Sequence, residues 1–104
     1  MERRGGIIYK AECKVTGRCY IGLTTRTLKE RRAEHIEAAL FKNSNLYFHG
    51  ALRKHGPKNF KWSVIAKRKT ISGLAKAEIK YIEKYSAFTE GYNSTIGGEL
   101  GENK

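Results

Sequence analysis

The sequence predicts an α+β fold: a small three-stranded antiparallel β-sheet flanked by about three α-helices. Three observations predict it. Two short runs that alternate apolar and polar residues stand on either side of a Gly-containing turn near the start of the chain. A third alternating run lies mid-chain, and three segments with apolar residues at helical spacing surround it. With 104 residues, of which 39% are hydrophobic, the chain has room for one domain with a thin core. One sheet covered by helices suits a core of that size.

Residues 7–13 read as the first strand, with Ile7, Tyr9, Ala11 and Cys13 on one face. Val15-Thr16-Gly17-Arg18 reads as a tight turn, and residues 19–23 as the returning strand. The register depends on the loop. With Thr16 and Gly17 as the two central turn residues, Tyr9 and Tyr20 project from the same face; a three-residue loop would set Cys13 opposite Cys19. Thr27 to Glu30 forms a capping box that opens a helix running to about Phe41. Leu28, Ile36, Ala39 and Leu40 make its apolar side, and Glu30, Glu34 and Glu37 face away. Ser44 or Asn45 can cap a second helix carrying Leu46, Tyr47, Ala51 and Leu52, which Gly56-Pro57 stops. Residues 59–67 alternate again, with Phe60, Trp62, Val64 and Ala66 against Lys61, Ser63 and Lys67, and Ile65 breaking the pattern. Ser72 can cap a third helix from Gly73 to about Ala87. Residues 1–96 thus form one domain, and residues 97–104 a Gly-rich flexible tail or the start of a linker.

Charge narrows the function. The net charge is +11. Residues 38–77 hold nine Lys and Arg and no acid, a net of +9, whereas residues 78–104 are net negative. Such a one-sign field attracts phosphate backbones. All ten acids are Glu, which excludes metal sites built on paired Asp and a Ser-His-Asp triad. Two cysteines are too few for a disulfide framework. No apolar run approaches the roughly 20 residues of a membrane span, and the charged start lacks the apolar core of a signal peptide. The expectation is an intracellular, cytoplasmic protein that binds nucleic acid as a monomer, with no membrane and no small-molecule cofactor. Arg26, Lys42, Arg53, Lys54, Lys58, Lys61 and Lys67 are the candidate DNA-binding residues.

Some residues exceed structural need. Leu74, Glu78, Tyr81, Ile82 and Tyr85 share one face of the third helix, and a carboxylate in that stripe costs free energy unless something pairs with it. An ion pair at the stripe's edge and a metal or acid–base role are both open. Arg31 and His35, four residues apart, lie on the inward-leaning side of the first helix, where a cation and an imidazole suit an anionic substrate. His49 and His55 read as surface or helix-end residues.

Taken together, these residues resemble the GIY-YIG nuclease family. Ile7-Ile8-Tyr9 and Tyr20-Ile21-Gly22 match its two motifs, with the tyrosines eleven positions apart. Arg31 and His35 follow where the family places its Arg and, in homing members, its His. Glu78 stands fifteen residues before Asn93 in Gly91-Tyr92-Asn93. The resemblance covers about residues 6–96 and departs from the family at Ile7, where Gly is usual and Gly6 stands one place earlier. It is greatest to the catalytic domains of phage or intron homing endonucleases, which act in bacterial hosts and usually continue into a DNA-recognition region. Such a region, and sequence specificity with it, is expected to be absent here or supplied elsewhere.

The resemblance implies divalent-metal-dependent hydrolysis of DNA phosphodiesters, with Mg²⁺ or Mn²⁺ as cofactor. In that reading Tyr9, Tyr20, Arg31, His35, Glu78 and Asn93 are catalytic and Glu78 holds the metal. Arg31 braces the phosphate, and Tyr9 orients or deprotonates the attacking water. Tyr20 and His35 hydrogen-bond the phosphate, the water or Tyr9, and Asn93 positions backbone or substrate. Two alternatives stand beside it: a structure-specific repair-type nuclease, and a catalytically silent basic nucleic-acid-binding module.

Overall fold

In the computed structural model, which describes residues 5–98, strands β1 (Gly6–Cys13) and β2 (Cys19–Thr24) form an antiparallel hairpin. Tyr9 pairs with Gly22, Ala11 with Tyr20 and Glu12 with Cys19. The connection is longer than either turn the sequence offered. The Cys13 N–H donates to the Arg18 carbonyl at 2.9 Å and the Gly17 N–H to the Cys13 carbonyl at 2.8 Å, so residues 14–17 make a four-residue loop. Two extra loop residues preserve parity, because side chains alternate with period two. Tyr9 and Tyr20 therefore do share a face, and Cys13 and Cys19 do not oppose each other.

Strand β3 (Phe60–Arg68) pairs antiparallel with the other edge of β1, giving the order β2-β1-β3. Ile8 pairs with Ala66 but Tyr9 pairs with Val64. Ile65 is left without a partner of its own on β1, a bulge directly beside Tyr9. This is why Ile65 breaks the alternation: the bulge turns it towards the apolar cluster beneath the third helix.

Helix α1 (Leu28–Phe41) opens with the expected capping box between Thr27 and Glu30. Helix α2 (Tyr47–His55) ends at Gly56, whose φ of 86° an L side chain would resist, and a 3₁₀ turn (Pro57–Asn59) leads into β3. Helix α3 (Ile71–Lys84) is capped by Thr70, whose hydroxyl accepts from the Gly73 N–H at 3.0 Å, rather than by Ser72, and it stops before Ala87. Neither Ser44 nor Asn45 caps α2; its N-cap is Leu46.

The sheet is packed on both faces. Helices α1 and α2 cover Ala11, Cys13, Phe60 and Trp62 with Ala39, Phe48 and Leu52. Helix α3 covers Ile8 and Ile21 with Leu74, Ala77 and Ile82. The inward side of α1 is narrower than its apolar pattern implies. His35 and Ala39 are its buried residues, while Leu40 is 44% and Phe41 79% exposed. An imidazole holds the centre of the stripe and displaces the larger apolar residues to its margin. The Gly-rich tail begins at Gly97 and Gly98, and residues 99–104 lie outside the described residues. Gly98 turns back to α3, its N–H donating to Glu78 Oε1 at 3.0 Å.

Candidate active site

Tyr9 is fully buried at the middle of the central strand. Its phenol lies across Gly22 on the neighbouring strand. A Cβ at Gly22 would come within 2.4 Å of the Tyr9 hydroxyl oxygen and of Cζ, so no other residue leaves room for the ring. Trp62 from β3 stacks on Tyr9 at 6.2 Å between ring centroids, and Tyr20 packs against it at the same separation, tilted by 45°. Strand pairing therefore fixes the position of the hydroxyl.

That hydroxyl meets α1. Tyr9 Oη and His35 Nε2 are 2.8 Å apart. His35 Nδ1 lies 2.7 Å from His49 Nε2, and His49 Nδ1 lies 2.7 Å from Ser44 Oγ. His35 is 2% and His49 6% exposed. His49 is thus no surface residue. It stands three residues before Leu52 and packs inward with Phe48, Ala51 and Leu52. That helical spacing was the signal available in the sequence. His55 does end α2.

Burial pushes the His35 imidazolium down to about 3, helped by the positive charge of Arg31 and by His49. Burial, with Arg31 and Arg53, also holds His49 below its ordinary range. Both rings are neutral around pH 7. Burial, then the neighbouring Tyr20, pushes the Tyr9 phenol well above its usual value. Arg31 opposes this through its charge and a hydrogen bond, while the Glu78 carboxylate adds to it. Tyr9 is accordingly a protonated phenol facing a neutral imidazole, which is a proton acceptor at hydrogen-bond distance.

Arg31 is half-buried. Burial works against its charge, but Tyr9 and the Glu34 carboxylate outweigh that and raise its pKa. Arg31 Nη1 donates to Glu34 Oε1 at 2.9 Å, and Arg26 Nη1 donates to the other oxygen. Glu34 does not merely face away, then; it holds the guanidinium at the edge of the cluster. Tyr20 stacks face to face on Phe48 at 4.1 Å and meets His35 edge-on at 5.4 Å. Phe48, Trp62 and Gly22 shape the site, although the sequence reading left Phe48 unmentioned and placed Trp62 only in the third strand and Gly22 only in the second motif.

Asn93 lies at the same strand by a different route. Its Oδ1 accepts from the Ile21 N–H and its Nδ2 donates to the Ile21 carbonyl, both at 2.8 Å. The amide imitates a neighbouring strand and clasps β2 between Tyr20 and Gly22.

The candidate DNA-binding residues are exposed but do not share one surface. Arg26 and Lys67 border a cleft of about 620 Å³ at the start of α1, with Leu28 and Val64. Arg53 and Lys54 border a separate groove with Arg18 and Tyr47, and Arg53 Nη1 also donates to the Ala39 carbonyl at 2.9 Å, tying α2 to α1. Lys42 lies 3.9 Å from Glu37. Lys61 pairs in register with Glu12, and Lys58 sits in the 3₁₀ turn.

No group of three His, Cys or Glu side chains among the described residues could enclose a metal. That donor set does not suit a closed zinc site. It does suit a hard cation such as Mg²⁺, which keeps most of its waters and takes one carboxylate plus substrate oxygens. Glu78 is half-buried on α3, its Oε1 accepts from the Gly98 N–H at 3.0 Å, and its charge bears weakly on Tyr9.

A family model described as the GIY-YIG catalytic domain matches residues 5–93. Two solved structures of the catalytic domain of the intron homing endonuclease I-TevI share the fold. A mutant form superposes with a TM-score of 0.78 at 16% identity, covering 88% of this chain and 95% of that one. The second superposes at 0.76, also at 16% identity, covering 86% and 98%. No curated protein sequence matches the chain significantly.

Proposed function

The chain belongs to the GIY-YIG catalytic-domain family, and from that premise we propose that it is a DNA endonuclease that hydrolyses phosphodiester bonds with a divalent cation, Mg²⁺ or Mn²⁺. The observation that carries the reading is the 2.8 Å hydrogen bond between Tyr9 and the neutral His35, set among Tyr20, Arg31 and Glu78. Glu78 would hold the metal, which when bound polarises the phosphoryl group and steadies the leaving oxygen. Tyr9 orients the attacking water and takes its proton as its own hydroxyl proton passes to His35 Nε2. The high pKa of the phenol then helps, because the phenolate is a strong base once formed. Arg31 meets the charge that builds on the non-bridging oxygens, with Glu34 fixing its direction. Asn93 acts through the backbone of β2. Arg26 and Lys67, which border the cleft at the start of α1, would contact phosphates of the bound duplex.

Purified protein incubated with supercoiled plasmid tests this. With Mg²⁺ the expected result is nicking, abolished by a chelator. Glu78→Gln, which keeps shape and removes charge, should slow cleavage by about two orders of magnitude while the fold persists. Binding without cleavage under every metal condition would leave a silent binding module instead. Much faster cleavage of branched than of linear DNA would point to the structure-specific, repair-type reading.

A further inference from the structure

Beyond Tyr9 and His35, the buried hydrogen bonds continue outward through two residues that the reaction as described does not use. We propose that His49 and Ser44 form the outer half of a proton-release line that carries the Tyr9 proton from the buried site to solvent. The inference rests on the nuclease reading and adds a positioning role for His49.

The geometry is a line of three short hydrogen bonds: Tyr9 to His35 at 2.8 Å, His35 to His49 at 2.7 Å, and His49 to Ser44 at 2.7 Å. It starts at a side chain with no exposed surface and ends at the half-buried Ser44 in the α1–α2 connection. A neutral imidazole has one N–H and one acceptor nitrogen. One assignment therefore satisfies every member. Tyr9 donates to His35 Nε2, His35 Nδ1–H donates to His49 Nε2, and His49 Nδ1–H donates to Ser44 Oγ. Ser44 Oγ also accepts from the Leu46 N–H at 3.2 Å. The opposite polarity satisfies the two rings equally well, so the line has two states.

Passing one proton converts one state into the other. The Tyr9 O–H bond breaks as an N–H forms at His35 Nε2. His35 gives its Nδ1 proton to His49 Nε2, and His49 gives its Nδ1 proton to Ser44 Oγ, whose own hydroxyl proton leaves to water. Both rings end neutral in the other tautomer, and no buried imidazolium has to persist. That matters here because the surroundings are hostile to a second positive charge. His35 faces Arg31 on α1, Tyr9 and Tyr20 on the sheet and His49 on α2; His49 faces Arg31 and Arg53. A lone His35 would have to hold the proton beside Arg31, whereas a tandem pair hands it on.

The test compares His49→Gln and Ser44→Ala with wild type. Glutamine can still hydrogen-bond His35 Nδ1 but cannot exchange a proton between two ring nitrogens. The expected result is single-turnover cleavage slowed by about ten- to a hundredfold, with DNA affinity and thermal midpoint near wild type. The rate against deuterium fraction should be curved for wild type and straight for His49→Gln. Ser44→Ala should slow cleavage less, since water can replace a hydroxyl at the exposed end. A His49→Gln protein that cleaves at the wild-type rate overturns the proposal. So does one whose rate, affinity and melting all fall together, which marks His49 as a mere buttress. Imidazole ¹⁵N shifts in the resting protein read the line without any cleavage. They should show both rings neutral at pH 7 with the proton on Nδ1, the polarity set by Tyr9 as donor, and a charged ring or a resting proton on either Nε2 overturns the line. If wild type cleaves nothing while those shifts are present, the failure belongs to the nuclease reading and not to the line.

Discussion

Residues 35 and 49 show how far burial decides chemistry. Two histidines on a surface would titrate near pH 6.5; here their charged forms are suppressed. The sign of the resulting pH dependence follows directly. The folded pKa of His35, about 3, lies below the unfolded value, so the unfolded chain binds a proton that the native state refuses. Stability is therefore complete above about pH 6.5 and declines as pH falls towards 3, by up to roughly 1.4 kcal/mol per pH unit for each such group. His49 acts in the same direction. Denaturant melts at pH 7.5, 6, 5 and 4 should show this loss, and His35→Gln should flatten it; a wild-type midpoint constant from pH 7 to 5 would mean that the rings are not buried neutral. Tyr9 and Arg31 allow a second expectation. Tyr9→Phe removes one hydroxyl, and Arg31→Ala one cation at the half-exposed edge. Both should bind DNA within a few-fold of wild type yet cleave at least about a hundredfold more slowly, because their interactions strengthen in the transition state. Normal turnover with weak binding would reassign them to uniform binding. The types and spacing of Tyr9, Arg31, His35 and Glu78 were readable in the sequence. Their distances were not, because each lies on a different turn or element, and only the tertiary packing brings α1 against β1.

At the level of elements, the hairpin and the first helix were legible for local reasons. The Thr27–Glu30 capping box and the Gly56-Pro57 stop act over three or four residues, and both occur as read. The α3 cap was not, since Thr70 and Ser72 are equivalent by composition and only the start of the apolar contact with β2 and β3 selects between them. The bulge at Ile65 was visible only as a broken alternation. Its consequence, a re-aimed strand beside Tyr9, needs the partner strand. Gly22 is the sharpest case. As a strand glycine it signals a close approach, but what approaches is the Tyr9 ring and not a phosphate. Gly22→Ala should therefore cost about 1–3 kcal/mol through overpacking and push the phenol off His35. A melting curve with a cleavage assay checks both at once; an alanine variant that melts and cleaves like wild type would show that the strands yield without strain.

Over the whole molecule, the charge asymmetry of the sequence becomes several basic surfaces rather than one. Arg26 and Lys67 lie at the α1 cleft, whereas Arg53 and Lys54 lie along another groove. With about four to six phosphate contacts, log K against log salt should slope at roughly −4 to −5, and affinity should fall by two to three orders of magnitude between about 50 and 200 mM salt. Unrelated duplexes of equal length should bind alike; a flat salt response, or a thousandfold preference for one sequence, would contradict this. The long-range charge was countable from the chain, but its division among surfaces depends on the order β2-β1-β3, which composition does not encode. The Asn93 clasp on Ile21 joins residues 72 positions apart. During synthesis the strands bearing both tyrosines leave the ribosome early, but β2 gains this clasp only after residue 93 has emerged. Closure over so long a separation belongs to the slow, late part of assembly. A chain that ends before Asn93 carries Tyr9, Tyr20, Arg31, His35 and Glu78 but lacks the clasp that steadies β2 beside Tyr20, so the proposed site is complete only once residue 93 is in place.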